Sequence, residues 1–161
     1  MDTREALITN LKTSAMVCGT YLEDLTDEEA MQRPHPKCNH VNWQIGHLIT
    51  SEHGMASACG EIPALPDGFA DKYSKETAGS DNAADFVPKS ELMKIAAAQH
   101  EAVVKVVGGM SDEDLDKPGP EAMRSYAPTM GALVNMLGSH WMMHAGQWVV
   151  VRRQLGRDIV I

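Results

Sequence analysis

Two histidines, His140 and His144, stand four residues apart in HWMMHAGQW, an otherwise apolar and methionine-rich segment. An imidazole is costly among apolar neighbours unless its ring nitrogens are satisfied. One helical turn apart, the two rings project from the same face with an axial offset of ~6 Å, which lets both converge on a single ion. The residue after the first histidine is Trp141 rather than Glu, so the pattern excludes a HEXXH metalloprotease, where that Glu is the general base. The competing use of such a pair is structural, with both rings held by hydrogen bonds inside the core. Met130, Met136, Met142 and Met143 raise a thioether copper site. Met142 and Met143, however, point ~100° apart on a helix, and gap-filling packing accounts for methionines of this kind.

A third ligand must come from elsewhere in the chain. The candidates are His35, His40, His47, His53 and His100. Within NHVNWQIGHLITSEH, His40 and His47 share one face of a predicted helix two turns apart, ~10.5 Å, too far to hold one ion together without distortion. His53 points away from both. That shared face lies well round from the stripe of Val41, Ile45 and Leu48, so periodicity does not choose between His40 and His47.

Four helices are predicted to position these groups. The first runs from about Thr3 to Asp24, opened by Asp2 and Glu5 as a capping pair, with Leu7, Leu11, Ala15 and Cys18 on its apolar face. A short turn from Thr26, with Glu29 as its capping partner, precedes RPHPKCNH, whose prolines break the helix. The second helix spans roughly Asn39–Ala58, the third Lys89–Val107 with Leu92, Ile95, Ala96 and Val103 inward. The fourth runs from Thr129, its cap, to about Leu155 before Gly156. Met130, Leu133, Leu137, Trp148, Val151 and Leu155 form its stripe, and both His140 and His144 fall within it. GGMSDEDLDKPGPEAM reads as loop with a short turn opened by Ser111. No segment alternates with period two. The expectation is an all-α, single-domain four-helix bundle over residues 1–161, up-down-down-up, with a long crossover between helices two and three and antiparallel neighbours across the first and third connections. The crossover, Cys59–Pro88, either builds a site or is a mobile surface segment.

Composition narrows the function. The 161 residues are 43% hydrophobic with a formal net charge of −8, enough to bury a core but opposed to non-specific nucleic-acid binding and to anionic membrane surfaces. MDTREALITNLK lacks the features of a signal peptide, and no apolar run reaches membrane-spanning length. Cys18, Cys38 and Cys59 are odd in number with no CxxC pair, so the expectation is free thiols and a reducing, cytoplasmic location.

The segment WQIGHL, Trp43–Leu48, followed much later by HWMMHAGQW, resembles the DinB-like superfamily, four-helix bundles of about this length with a histidine on helix two and an HxxxHxGQ segment on helix four. The resemblance implies that His47, His140 and His144 bind a nickel, zinc or similar divalent ion, and that the chain forms homodimers. Relatives often carry an acidic or polar residue between the helix-four histidines. Here Trp141, Met142 and Met143 fill that stretch, leaving no general base on it. Three neutral ligands leave an ion its full charge and an open position, the composition of a catalytic rather than a structural site. Some relatives are thiol-dependent transferases or isomerases, so the resemblance implies a small-molecule enzyme, transferase, isomerase or hydrolase, with a low-molecular-weight thiol or water as nucleophile. The alternative is a non-catalytic metal-binding or dimerising bundle. Gln44 and Gln147 either orient substrate or bond between helices. Trp43, Trp141 and Trp148 either wall a pocket or pack the core. Glu52 lies on the stripe opposite His47, which leaves Asp67, Asp71 or Glu76 of the crossover as the possible fourth ligands.

Overall fold

A computed structural model describes residues 1–159. Its helices are α1 (Thr3–Leu22), α2 (Val41–Ala56), α3 (Phe69–Lys72), α4 (Lys89–Gly108), α5 (Asp112–Asp116) and α6 (Met130–Gln154). The long helices α1, α2, α4 and α6 are the four predicted from the sequence. Local chemistry sets their starts. Asp2 accepts from the Glu5 N–H while the Glu5 carboxylate takes the Asp2 N–H, a complete capping box. Thr26 and Glu29 repeat it at the next turn, and Ser111 and Asp114 at α5. Thr129 caps α6 by accepting from the Ala132 N–H. Gly156, at φ +70°, ends it.

Long-range bonds fix the directions. Lys89, at the start of α4, donates to the Leu22, Glu23 and Leu25 carbonyls at the end of α1, and Arg4 reaches the Met110 carbonyl beyond the other end of α4. These two helices are therefore antiparallel. Asn10 bonds Asn135, and Arg152 bonds the Tyr21 carbonyl and Asp24, so α1 and α6 are parallel. Gln44 meets Gln147 across the antiparallel pair α2 and α6. Asn42 bonds the Val87 carbonyl and Gln99 the Ile49 carbonyl along the parallel pair α2 and α4. The order is up-down-down-up, as expected.

The neighbours differ from the expectation. Both α1 and α2 pack against α4 and α6, so α1 and α2 stand at opposite corners, as do α4 and α6. The first and third connections do not join antiparallel neighbours. Residues 23–40 and 109–129 carry turns of their own (Glu29–Met31, α5 and Glu121–Met123) and are long enough to cross an end of the bundle.

Residues 57–88 are an ordered crossover packed on α2. Phe69, Tyr73 and Phe86 are buried there. Arg33 ties the segment down through Asp81 and the Ala78 and Ser80 carbonyls. The core proper holds Leu22, Ile45, Leu48, Leu92, Trp148 and Val151 at one end, and Leu11, Val103, Leu133 and Leu137 at the other. Ile95, expected inward, is only half-buried.

Candidate metal centre

His47 on α2 and His140 and His144 on α6 come together between the two helices. Ring centroids lie 5.4 Å apart for His47–His140, 5.7 Å for His47–His144 and 5.1 Å for His140–His144. One nitrogen from each ring lies within 4.8 Å of the others. Among the described residues, no Cys, Asp or Glu joins this group. Burial lowers all three histidines below their ordinary pKa, and the neighbouring imidazoles add to it for His140, through His47, and for His144, through His140 and His47. His144 is pushed down to about 4. Near neutral pH the three rings are neutral imidazoles with lone pairs to offer, the state that metal ligation requires.

Gln44 fixes which nitrogen His144 offers. The Trp148 indole nitrogen, a donor only, lies 3.0 Å from Gln44 Oε1. The Asn39 carbonyl, an acceptor only, lies 2.7 Å from Gln44 Nε2. The amide therefore cannot be flipped. His144 Nδ1 sits 3.0 Å from the same Oε1 and must donate to it, which leaves Nε2 unprotonated. Gln44 Nε2 also donates to Gln147 Oε1 at 3.1 Å. The two glutamines are thus joined across the helix interface, and Gln44 acts on the site through His144.

His47 is held by stacking. Trp43 lies parallel to it at 5.1 Å and 9°, and the Trp43 indole N–H donates to the Thr77 hydroxyl of the crossover at 3.1 Å. Gly46 is required beside it, because a Cβ there would stand 2.2 Å from the Tyr73 ring. Trp148, with 0% exposure, and Trp141 are core residues.

The other histidines do not join. His40 is not on the helix at all. It is the residue that caps α2, fully buried, and its Nδ1 accepts from the Trp43 N–H at 3.0 Å. The expectation that His40 and His47 share a helical face is therefore corrected. The chain turns at Asn39–His40, and the His40 ring folds back onto the first turn, edge-on to Phe86. Burial, with the Arg33 charge adding to it, pushes His40 down to about 4, so Nδ1 stays free to accept at the cap. His35, His53 and His100 stand outside the group, as do Asp67, Asp71 and Glu76. Cys18, Cys38 and Cys59 are free, and burial pushes the Cys18 and Cys59 thiols up to about 12 and about 11. Met142 and Met143 face outward.

The helical period places Glu52 on the inward stripe of α2, but not its partner or its protonation state. Glu52 is 2% exposed, its Oε2 accepts from Gln99 Nε2 at 2.6 Å, and desolvation raises it from 4.5 to about 7. The unfolded chain releases this proton near pH 4.5, whereas the folded chain keeps it to about pH 7. The group's contribution is therefore complete below pH 4.5 and is lost as pH rises through 7. Glu52→Gln cannot ionise. It is expected to be stabilised over the parent by on the order of 1–2 kcal/mol at pH 8, with little difference at pH 5. Urea midpoints at the two pH values measure this, and an equal difference at both would exclude a buried titrating carboxyl.

The sequence model of the DinB superfamily matches residues 11–148. The fold is similar to that of a conserved protein from Enterococcus faecalis, with 17% identity and a TM-score of 0.73 over 98% of this chain and 99% of that one. It is also similar to YfiT from Bacillus subtilis, described as a probable metal-dependent hydrolase with an unusual four-helix bundle topology. There the identity is 13% and the TM-score 0.66, over 96% of this chain and 89% of that one. No curated protein sequence matches. At these identities the two structures speak for the fold alone. The matched segment, running from within α1 through all three converging histidines to Trp148, is the stronger finding: this chain belongs to the DinB superfamily.

Proposed function

We propose that the protein is a metal-dependent enzyme acting on a small organic molecule, with His47, His140 and His144 holding one divalent ion, nickel or zinc. The observation that carries this reading is the convergence of three neutral imidazoles with no fourth ligand among the described residues. An ion bound by three neutral ligands keeps its charge and an open position, and there it lowers the pKa of a coordinated water or low-molecular-weight thiol. The chain's own contribution is orientation. Gln44 sets the His144 tautomer and ring plane, Trp43 sets the plane of His47, and the buried rings stay deprotonated. The words used of YfiT favour hydrolysis, with water as nucleophile, and a thiol would use the same open position. A reducing, cytoplasmic setting, with which the free cysteines accord, and a homodimer, which the family resemblance implies, belong to the same proposal.

Cobalt-substituted protein tests the open position. Added small thiols are expected to produce a sulfur-to-cobalt charge-transfer band, and azide to shift the ligand-field spectrum. If saturating thiol and azide both leave the spectrum unchanged, the coordination sphere is closed and the ion has a structural role.

A further inference from the structure

We infer that the cleft beside His140 is a subsite for an uncharged, apolar portion of the substrate, a short aliphatic chain or ring. This rests on the metal-centre reading for its chemistry but on separate residues for its selectivity. The cleft, about 460 Å³, runs between α2 and α6, with Met55 and Gly54 on one wall, Met136 and His140 on the other, and Met123 and Tyr126 across its outer end. Its volume falls within the range of small-molecule sites. A cleft of about 1040 Å³ where α2 and α4 end and α6 begins touches none of the three imidazoles.

The lining decides the ligand class. No Lys, Arg, Asp or Glu lines the cleft among the described residues, so nothing there neutralises a carboxylate, phosphate or ammonium that would lose its water on entry. The Thr50 hydroxyl gives its proton to the Gly46 carbonyl at 3.0 Å, so it offers a ligand no donor. What remains is uncharged: three thioethers, which adapt to different apolar shapes, the Ser51 hydroxyl, the His140 ring and the half-exposed Tyr126 at the rim. A net charge of −8 further disfavours anions at long range.

The outer wall is built rather than loose. The Ala127 N–H donates to the Met123 carbonyl at 2.8 Å, and the Arg124 guanidinium to the Gly119 carbonyl at 2.8 Å. Gly119 is pressed so close that a Cβ would meet the Ala127 carbonyl oxygen at 2.2 Å. The turn Glu121–Met123 thereby holds Met123 and Tyr126 over the cleft, on a connection that supplies no metal-ligating side chain.

Two measurements test this. In metal-free protein with carbon-13-labelled methionine methyls, hexan-1-ol is expected to shift the Met55, Met123 and Met136 resonances saturably. Hexanoate and hexylamine should bind at least ~10-fold more weakly. If hexanol leaves those three methyls unmoved, or hexanoate binds as well, the subsite is overturned whatever the metal does. In zinc-loaded protein, alkyl hydroxamates from acetyl to hexanoyl are expected to gain ~4-fold in affinity per methylene by calorimetry. Met123→Glu, and independently the rim variant Tyr126→Asp, should flatten that gain while leaving acetohydroxamate unaffected. A parent protein that binds all chain lengths equally, or variants that keep the slope, would sink the inference. Failure of acetohydroxamate to bind, with the methionine shifts intact, would instead remove the open metal site and leave the apolar subsite standing.

Discussion

Replacing any one of His47, His140 and His144 with Ala is expected to abolish stoichiometric binding of a divalent ion. The affinity loss should be at least ~100-fold, since even groups that only orient a ligand are worth 10–100-fold. The three positions should behave alike, because each supplies one of three converging nitrogens and no carboxylate or thiol among the described residues stands ready to substitute. Two further variants grade the effect. Gln44→Leu leaves all three imidazoles but removes the acceptor that holds the His144 Nδ1–H, so its loss should be ~10–100-fold. His40→Asn keeps an acceptor for the Trp43 N–H at the start of α2, so full metal content is expected. Metal analysis of protein purified without a histidine tag reads all five. Metal retained in His47→Ala but lost in His40→Asn would transfer the helix-two ligand to His40 and overturn the assignment.

The legible and illegible parts of this molecule divide by the range of the interaction. The capping groups Asp2, Thr26, Ser111 and Thr129 each bond a partner three residues on, so the local sequence contains both halves. The α6 stripe obeys a single period, and with it the inward placement of His140 and His144. His47 was legible only through the family motif. His40 was misplaced because helical periodicity was carried one turn too far towards the N-terminus, through a residue that caps the helix instead of belonging to it. Gln44 depends on Trp148, His144 and Asn39, and Glu52 on Gln99. These partners lie on other elements, and no spacing along the chain reveals them. The diagonal placement of α1 and α2 is of the same kind, since the connection permits either corner and only packing chooses. The cleft wall at Met123 and Tyr126 likewise comes from a segment that has no pattern of its own.

Gly46→Ala is expected to cost about 3 kcal/mol of stability and to weaken metal binding, although Gly46 touches no ligand atom. Helix propensity alone predicts the reverse sign, since Ala in a helix interior is favoured over Gly by ~1 kcal/mol. The contact decides against it. A Cβ at position 46 would lie 2.2 Å from both Cδ1 and Cε1 of Tyr73, far inside van der Waals separation, and the ring has nowhere to retreat. It is 3% exposed, packed against Phe69 at 5.0 Å and Phe86 at 5.8 Å, and its hydroxyl accepts the Val87 N–H at 3.0 Å. Relief must therefore come from displacing the crossover or the helix backbone next to His47, whose ring lies against Trp43 and the α6 histidines. The second change Tyr73→Leu removes the struck atoms. Gly46→Ala/Tyr73→Leu should then be more stable than the sum of the two single changes allows, by ~1–3 kcal/mol, and should recover metal affinity. Urea denaturation with metal titration of the four proteins closes this cycle. A Gly46→Ala protein more stable than its parent would mean that the ring yields freely and that glycine at this position serves something other than the close approach of Tyr73.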